Sequence, residues 1–213
     1  MDTFIAHLRH QLSQPLPGKE AQYRMAHLAR NQHLPVPENA RQAGVLILFF
    51  PGEQDWEIVL IERNASNAND RHRGQISFPG GQLDPADASL QHTALREAFE
   101  EVNAPVHHIE VLAPLTDLYI PVSNFRVFPF VGWTAAKPVF VPQAEEVHSL
   151  LTVPFSHFLS PQSRQLSRVE FKEGFILNDV PSFHVHNKIV WGATAMILNE
   201  LIEVVAPKPP AHA

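Results

Sequence analysis

The stretch Phe78–Ala104, FPGGQLDPADASLQHTALREAFEEVNA, decides how the rest of the chain is read. From Ala88 to Val102 the pattern is helical. At about 100° per residue, Leu95, Ala98, Phe99 and Val102 fall on one stripe, while Glu97, Glu100 and Glu101 gather on nearly the opposite side. The apolar stripe can pack on a sheet while three carboxylates point at one spot. Carboxylates at this spacing repel one another unless something neutralises them. On its own such a run reads as a solvated helical face. The preceding Phe78-Pro79-Gly80-Gly81 shifts that reading, because paired glycines let a loop fold tightly against the helix. An oxygen-only cluster of this kind suits Mg²⁺ or Mn²⁺.

Outward from this segment, apolar runs at Gly44–Phe50 and Trp56–Glu62 flank Pro51–Asp55 and predict a hairpin. Further strands are expected at Gln75–Phe78, Ile109–Tyr119, Phe125–Trp133, Leu166–Phe171 and Phe183–His186. Phe4, Ile5, Leu8 and Leu12 predict an N-terminal amphipathic helix over Thr3–Leu12. A second helix is expected around Ala21–Ala29 and a last one over Gly192–Val204. Helices before, within and after mixed strands predict an α/β fold, a mixed sheet between helices in an α/β/α sandwich. The expected organisation is one domain over residues 1–206 with an N-terminal helical extension, and a disordered tail at 207–213.

Composition narrows the function. The 213 residues carry a formal net charge of −6, which argues against a general binder of nucleic acid or anionic membrane. With no Cys, disulfides, thiolate nucleophiles and Cys-based zinc sites are excluded, and a cytoplasmic location is the expectation. No apolar stretch approaches membrane-spanning length, and MDTFIAHLRHQLSQ has no signal-peptide core.

The segment resembles the Nudix box: Gly, five residues, Glu, seven residues, then Arg-Glu-apolar-any-Glu-Glu-any-Gly-apolar. Arg96-Glu97-Ala98-Phe99-Glu100-Glu101 matches its second half. The first half departs. Gly81 stands fifteen positions before Arg96, one more than the general box allows, and only Asp84 and Asp87 supply acids between them. Asn103 replaces the final Gly, and Asn too enters the left-handed conformation at a helix end. These departures resemble the coenzyme A pyrophosphatase branch. So do Gly74–Gly81 (GQISFPGG), Trp191–Ala195 (WGATA), and Glu146-Val147 followed by Val153-Pro154-Phe155. The resemblance spans Ala43 to Val204. Asn69–Gly74 keeps the branch's His72 and Gly74 but lacks its Leu-Arg, and Arg63 lies farther upstream than in the branch.

The resemblance implies a pyrophosphohydrolase dependent on Mg²⁺ or Mn²⁺. Its metal ligands would be Glu97, Glu100 and Glu101, with Glu97 alternatively orienting the attacking water. Arg96 would fix the helix to the Gly-rich loop through Asp84 or Asp87. Glu97, Glu146 and Glu145 are candidates for the general base. Arg63, Arg71, His72, Arg73, Gly80 and Gly81 are candidates for substrate binding. The implied substrate is a small nucleotide, coenzyme A or an acyl-CoA, cut to 3′,5′-ADP and a 4′-phosphopantetheine. ADP-ribose, dinucleotides or damaged nucleoside triphosphates are the alternatives, and a non-catalytic nucleotide sensor is the rival of another class. No nucleic-acid or membrane partner is expected, and a homodimer stays open. His107 and His108 would point apart on a strand, and His184 and His186 would share a strand face without completing a metal site. Phe125, Phe128 and Phe130 could stack on a base but most simply fill a core, as does Trp191.

Overall fold

The longest apolar run, Val45–Phe50, lies inside β1 (Arg41–Pro51), and its side chains alternate between two cores. A strand turns successive residues to opposite faces. Leu46, Leu48 and Phe50 join Ala94, Ala98 and Val102 of helix α3 (Leu90–Val102). Ala43, Ile47 and Phe49 enter the larger core, with α1 (Asp2–Leu12) and α5 (Gly192–Val205). A strand buried on both faces with helices against each is the sandwich that the sequence predicts. Each fully buried Phe or Leu of this strand contributes about 2 kcal/mol through the apolar area it removes from water. The computed structural model describes residues 2–28, 34–64, 72–171 and 174–206.

The sheet around β1 is mixed. β2 (Trp56–Arg63) returns antiparallel through the Pro51–Asp55 turn, closed by the Gly52 N–H on the Asp55 carbonyl at 2.8 Å. β3 (Ile76–Ser77) pairs with β2, and β4 (Gly80–Gln82) pairs with β1 at Ala43–Val45. β5 (Glu110–Pro114) and β6 (Leu118–Ile120) both pair with β7 (Phe125–Trp133). β7 runs parallel to β1 from Arg41↔Phe125 to Phe49↔Trp133. β8 (Val147–Pro154) covers the outer edge of β2. After the short α4 (Phe155–Leu159), β9 (Arg164–Glu170), β10 (Ile176–Val185) and β11 (Lys188–Trp191) form a separate antiparallel sheet. Helix α2 (Gly18–Tyr23) packs on α5. No helix among the described residues is long and apolar enough to cross a membrane.

Several expectations are corrected. The second helix covers Gly18–Tyr23 rather than Ala21–Ala29, and Ala29 lies outside the described residues, as does the tail 207–213. It is placed by Gln22, whose Nε2 donates to the Thr116 carbonyl and to Glu200. The single strand expected over Ile109–Tyr119 is two. Pro114 has no N–H to offer, and the Thr116 N–H and hydroxyl are drawn to Glu200. His107 and His108 sit in a 3₁₀ turn, not a strand. His186 occupies a turn at φ 51° beyond β10, so it does not share a strand face with His184. Strand β8 was not predicted, since Val147–Pro154 exposes His148, Thr152 and Pro154 and shows no clean apolar run.

Candidate active site

Helix α3 opens on Ser89, whose hydroxyl accepts the His92 N–H at 3.1 Å, and closes on Asn103 in the left-handed conformation at φ 55°. Its buried stripe differs from the predicted one. Ala94, Ala98 and Val102 face β1, whereas Phe99 is 53% exposed and belongs to no core. The cause is close approach. A Cβ on Gly44 would collide with the Leu90 carbonyl and meet the Ala94 nitrogen at 3.0 Å, so only small residues fit beneath the helix. This rotation tips the acidic side toward the Gly-rich loop. Glu101 is only 2% exposed, while Glu100 remains exposed.

Glu101 is the link between helix and loop. Its Oε2 accepts the Gly80 N–H at 2.8 Å, and its Oε1 lies 3.4 Å from Arg63 Nη1. Burial pushes its pKa up to about 8 against the opposing pull of Arg63 and the Gly80 N–H; the charges of Glu97 and Glu146 push the same way as burial. Burial also raises Glu97, which Arg96 opposes and the charges of Glu100 and Glu146 reinforce. The four carboxylates therefore act on one another. Gly80 has φ +154°, and a Cβ there would strike the Gly44 carbonyl and Val45. A Cβ on Gly81 would stand 2.5 Å from the Glu97 carboxyl. Gly80 is required by the backbone against it, whereas Gly81 leaves room for the Glu97 carboxyl.

Arg96 chooses Asp87 over Asp84. Its Nε and Nη2 reach the two Asp87 oxygens at 2.9 Å each, and its Nη2 touches the Gln82 carbonyl at 3.3 Å. Asp87 also accepts the Thr93 hydroxyl at 2.9 Å and the Asp84 N–H at 3.0 Å. These bonds, led by Arg96, hold its carboxyl well below the usual carboxylate range. Asp84 instead closes its own turn on the Ala86 N–H. The remaining nitrogen, Arg96 Nη1, donates to Glu97 and to Glu100 at 2.8 Å each.

A cavity of about 500 Å³ brings together Glu97, Glu100, Glu101, Glu146, Arg63, His72, Gly80 and Gly81. Arg73 and Glu145 are not among the described residues that line it, and Arg71 lies outside the described residues. Glu146 arrives on the loop before β8, turned in by Gln143 Oε1, which accepts the Glu145 and Glu146 N–H groups. His72 is held on both ring nitrogens, by Gln75 at 3.1 Å and Ser123 at 3.0 Å. The lining also includes Gln75, Ser77, Phe125 and Thr194, none of them singled out from the sequence as site residues. Phe125 is half-buried under the Arg41 guanidinium, 4.0 Å from its ring centre, rather than fully in the core. Gln75 in the GQISFPGG run and Thr194 in WGATA carry a signal in sequence, and Phe125 carries the aromatic spacing read above as core or base stacking; Ser77 carries none beyond strand alternation.

The donor set is oxygen-only, which fits a hard divalent cation. Two of its members, Glu97 and Glu101, are desolvated carboxylates whose ionised forms a cation would stabilise. Among the described residues no three acidic or imidazole groups stand close enough together to ligate one ion as they are, since Arg96 engages Glu97 and Glu100. A cation would compete with Arg96 for those two.

An α/β/α sandwich that lays a glycine loop on an acidic helix is the arrangement that the sequence resemblance implies. The comparisons with known proteins agree. The NUDIX domain model matches residues 40–173. The uncharacterized Nudix hydrolase NudL of Yersinia pestis (strain Pestoides F) is 36% identical over 184 residues, covering 81% of this chain and 89% of that protein. In fold the chain is similar to the M. smegmatis Nudix hydrolase RenU, with TM-score 0.50 and 17% identity over 82% of this chain and 91% of that one. It is similar also to a MutT/nudix family protein from Enterococcus faecalis, with TM-score 0.52 and 15% identity over 86% and 71%. The chain belongs to the Nudix hydrolases and is a pyrophosphohydrolase.

Proposed function

We propose that the enzyme cleaves the pyrophosphate bond of coenzyme A or an acyl-CoA, giving 3′,5′-ADP and a 4′-phosphopantetheine, with Mg²⁺ or Mn²⁺ held by Glu97, Glu100 and Glu101. One observation carries the substrate reading. The segments that mark the coenzyme A branch in sequence meet at the carboxylate cavity: His72 and Gln75 enter it from one segment, and Ala193 and Thr194 from the other. They are far apart in the chain, so their meeting is not a consequence of chain proximity.

Held by Glu97, Glu100 and Glu101, a divalent cation would supply charge neutralisation of the pyrophosphate oxygens and a more acidic water. The chain's own residues do the rest. Gly80 and Gly81 let the loop backbone approach the helix without side chains, leaving room beside Glu97. Arg63, already directed at Glu101, offers a guanidinium for a phosphate oxygen. Glu146, exposed at the cavity rim, can take the proton of the attacking water, with Glu97 as the second carboxylate in reach of the same space. Arg96 is a positioning residue, locked by Asp87 and steadying Glu97 and Glu100.

The test is a panel of coenzyme A, acyl-CoA, ADP-ribose, dinucleotides and oxidised nucleoside triphosphates, each with Mg²⁺ and with Mn²⁺, products identified by mass. Release of 3′,5′-ADP from coenzyme A at the highest kcat/KM is the expected result. Preference for any other member replaces the substrate reading, and no turnover of any member removes the site assignment.

A further inference from the structure

Ala144, Glu145 and Glu146 stand exposed on the loop that brings Glu146 to the cavity, and the loop's backbone groups are divided between two residues. The donors go to Gln143. Its Oε1 accepts the Glu145 N–H at 2.7 Å and the Glu146 N–H at 3.0 Å, and its carbonyl accepts the Val147 N–H at 2.8 Å. The acceptors go to Asn64. Its N–H donates to the Glu146 carbonyl at 2.7 Å, and its Nδ2 donates to the Ala144 and Glu145 carbonyls at 3.1 Å and 3.3 Å. The loop thus hangs on the two elements that carry the site. On one side the Gln143 N–H donates to the Glu101 carbonyl at 2.9 Å. On the other, Asn64 directly follows Arg63, whose guanidinium reaches the Glu101 carboxyl. The pairing of β2 with β8 stops at Arg63↔Val147 after a register shift, and Asn64 takes over where that ladder ends.

We propose that Asn64 is a positioning residue for the hydrolysis: by holding three successive loop carbonyls it fixes the reach of Glu146 into the space beside Glu97. The inference rests on the reading of Glu146 as the general base. A base has to stand within hydrogen-bond reach of the proton it takes. A misplacement of about 1 Å can cost about 10²-fold in rate. An exposed carboxylate on a surface loop needs that precision from the backbone that carries it. The side-chain amide of Asn64 can supply it, because its two N–H groups reach the two residues before the base. Without them the loop would keep its hold on α3 through Gln143 and lose most of its hold on β2. Stability depends on these bonds much less. Ala144 and Glu145 are at the surface, so water can take the place of the amide on their carbonyls. The clamp therefore predicts a loss of rate without a matching loss of stability.

The test is a double-mutant cycle in kcat, with Mg²⁺ and with coenzyme A, or the panel member that replaces it, as substrate. Asn64→Ala removes both Nδ2 bonds and keeps the backbone N–H. It is expected to lower kcat by about tenfold or more, with KM within about twofold and Tm nearly unchanged. In the Glu146→Gln background the same substitution is expected to change kcat by less than about twofold, since the loop then carries no base to position. Hydrogen exchange at the Glu145 and Glu146 amides should quicken in Asn64→Ala. Asn64→Leu keeps the shape of the side chain without its donor and is expected to follow Asn64→Ala, which separates the lost bonds from lost packing. A kcat of Asn64→Ala near that of wild type, equal fold losses with and without the Glu146 carboxylate, or unchanged exchange overturns the proposal. The base reading fails on a separate measurement, a Glu146→Gln kcat near that of wild type, which takes the proposal with it. A slow Glu146→Gln beside a fast Asn64→Ala removes the proposal alone.

Discussion

Arg96 grips Asp87 with two parallel bonds of 2.9 Å, Nε to Oδ1 and Nη2 to Oδ2, and still has Nη1 free of that grip to hold Glu97 and Glu100. Between Gly81 and Arg96, where the chain has no Glu, Asp87 is thus the acid that anchors Arg96. The Asp84–Asp87 turn presents that carboxyl, with the Asp84 N–H donating to Asp87. Bidentate geometry fixes a guanidinium plane as a single ion pair does not.

Removing that anchor should cost both stability and activity. Asp87→Asn is expected to lower stability by about 2 kcal/mol, because Arg96 is left partly buried without its main partner. Asp84→Asn should cost less than about 1 kcal/mol, since it loses one exposed turn bond. The pH dependence has a definite sign. The folded carboxyl of Asp87 is depressed, so its contribution is present above the unfolded value of about 4 and is lost as pH falls toward the folded one. Chemical unfolding of wild type and Asp87→Asn from pH 7 to pH 2 should give stabilities that converge at the acid end.

The two glycines should fail in different ways. Gly80→Ala forces a side chain onto φ +154° and the Gly44 carbonyl, and is expected to cost about 2 kcal/mol or more, visible as a lower Tm. Gly81→Ala meets only the end of the Glu97 side chain, which can swing aside. It should leave Tm nearly unchanged while kcat falls by about tenfold or more through misplacement of Glu97. Equal effects of the two on Tm would contradict this division.

These sites show what could and could not be read from the chain. The strands Arg41–Pro51 and Phe125–Trp133 and the helices around Leu90–Val102 and Gly192–Val205 were legible because each carries a strong apolar pattern or sharp ends. The acidic side of α3 was legible as a cluster but misplaced in depth. Helical period alone puts Phe99 inside and Glu101 outside. The reverse holds because Gly44 lets β1 approach α3 and the Gly80 N–H draws Glu101 in. The choice between Asp84 and Asp87 needed the turn geometry. The apolar cavity lined by Trp191, Phe171 and Leu177 was invisible in sequence, since these residues come together only when β9–β11 fold beside α5.

Metal should register in stability as well as in rate. A cation bound by the folded state alone raises stability by mass action. Mn²⁺ is therefore expected to raise the Tm of wild type in a concentration-dependent way, and the rise should shrink in Glu100→Gln, whose exposed carboxylate can be neutralised without breaking a buried bond. An undiminished rise in that variant would remove Glu100 from the ligand set.

Glu200 offers a pH effect independent of the carboxylate cavity. It is fully buried in α5 and accepts the Thr116 hydroxyl at 2.6 Å and Gln22 Nε2 at 2.8 Å. Burial raises its pKa against those bonds. Its protonated form is thus favoured by folding, and that contribution is full below the unfolded value of about 4.3 and is lost as pH rises through the folded one. Glu200→Gln cannot titrate, so the stability of wild type relative to Glu200→Gln should decline from acid to neutral pH. A difference independent of pH would mean that folding leaves the pKa of Glu200 unchanged.

The general base should separate two adjacent carboxylates. Glu146 lines the cavity and raises the pKa values of Glu97 and Glu101 by its charge, whereas Glu145 stands next to it on the same loop without entering the lining. Both N–H groups bind Gln143 Oε1, so a substitution of either side chain leaves the loop's backbone bonds in place. If Glu146 takes the proton of the attacking water, Glu146→Gln should lower kcat by about 10²-fold or more with KM little changed, as removal of a base predicts. Glu145→Gln should stay within about twofold of wild type, as expected of an exposed carboxylate outside the site. If Glu146→Gln keeps a kcat near that of wild type, the base is Glu97, a desolvated carboxylate facing the same space and the one that Gly81 leaves room for.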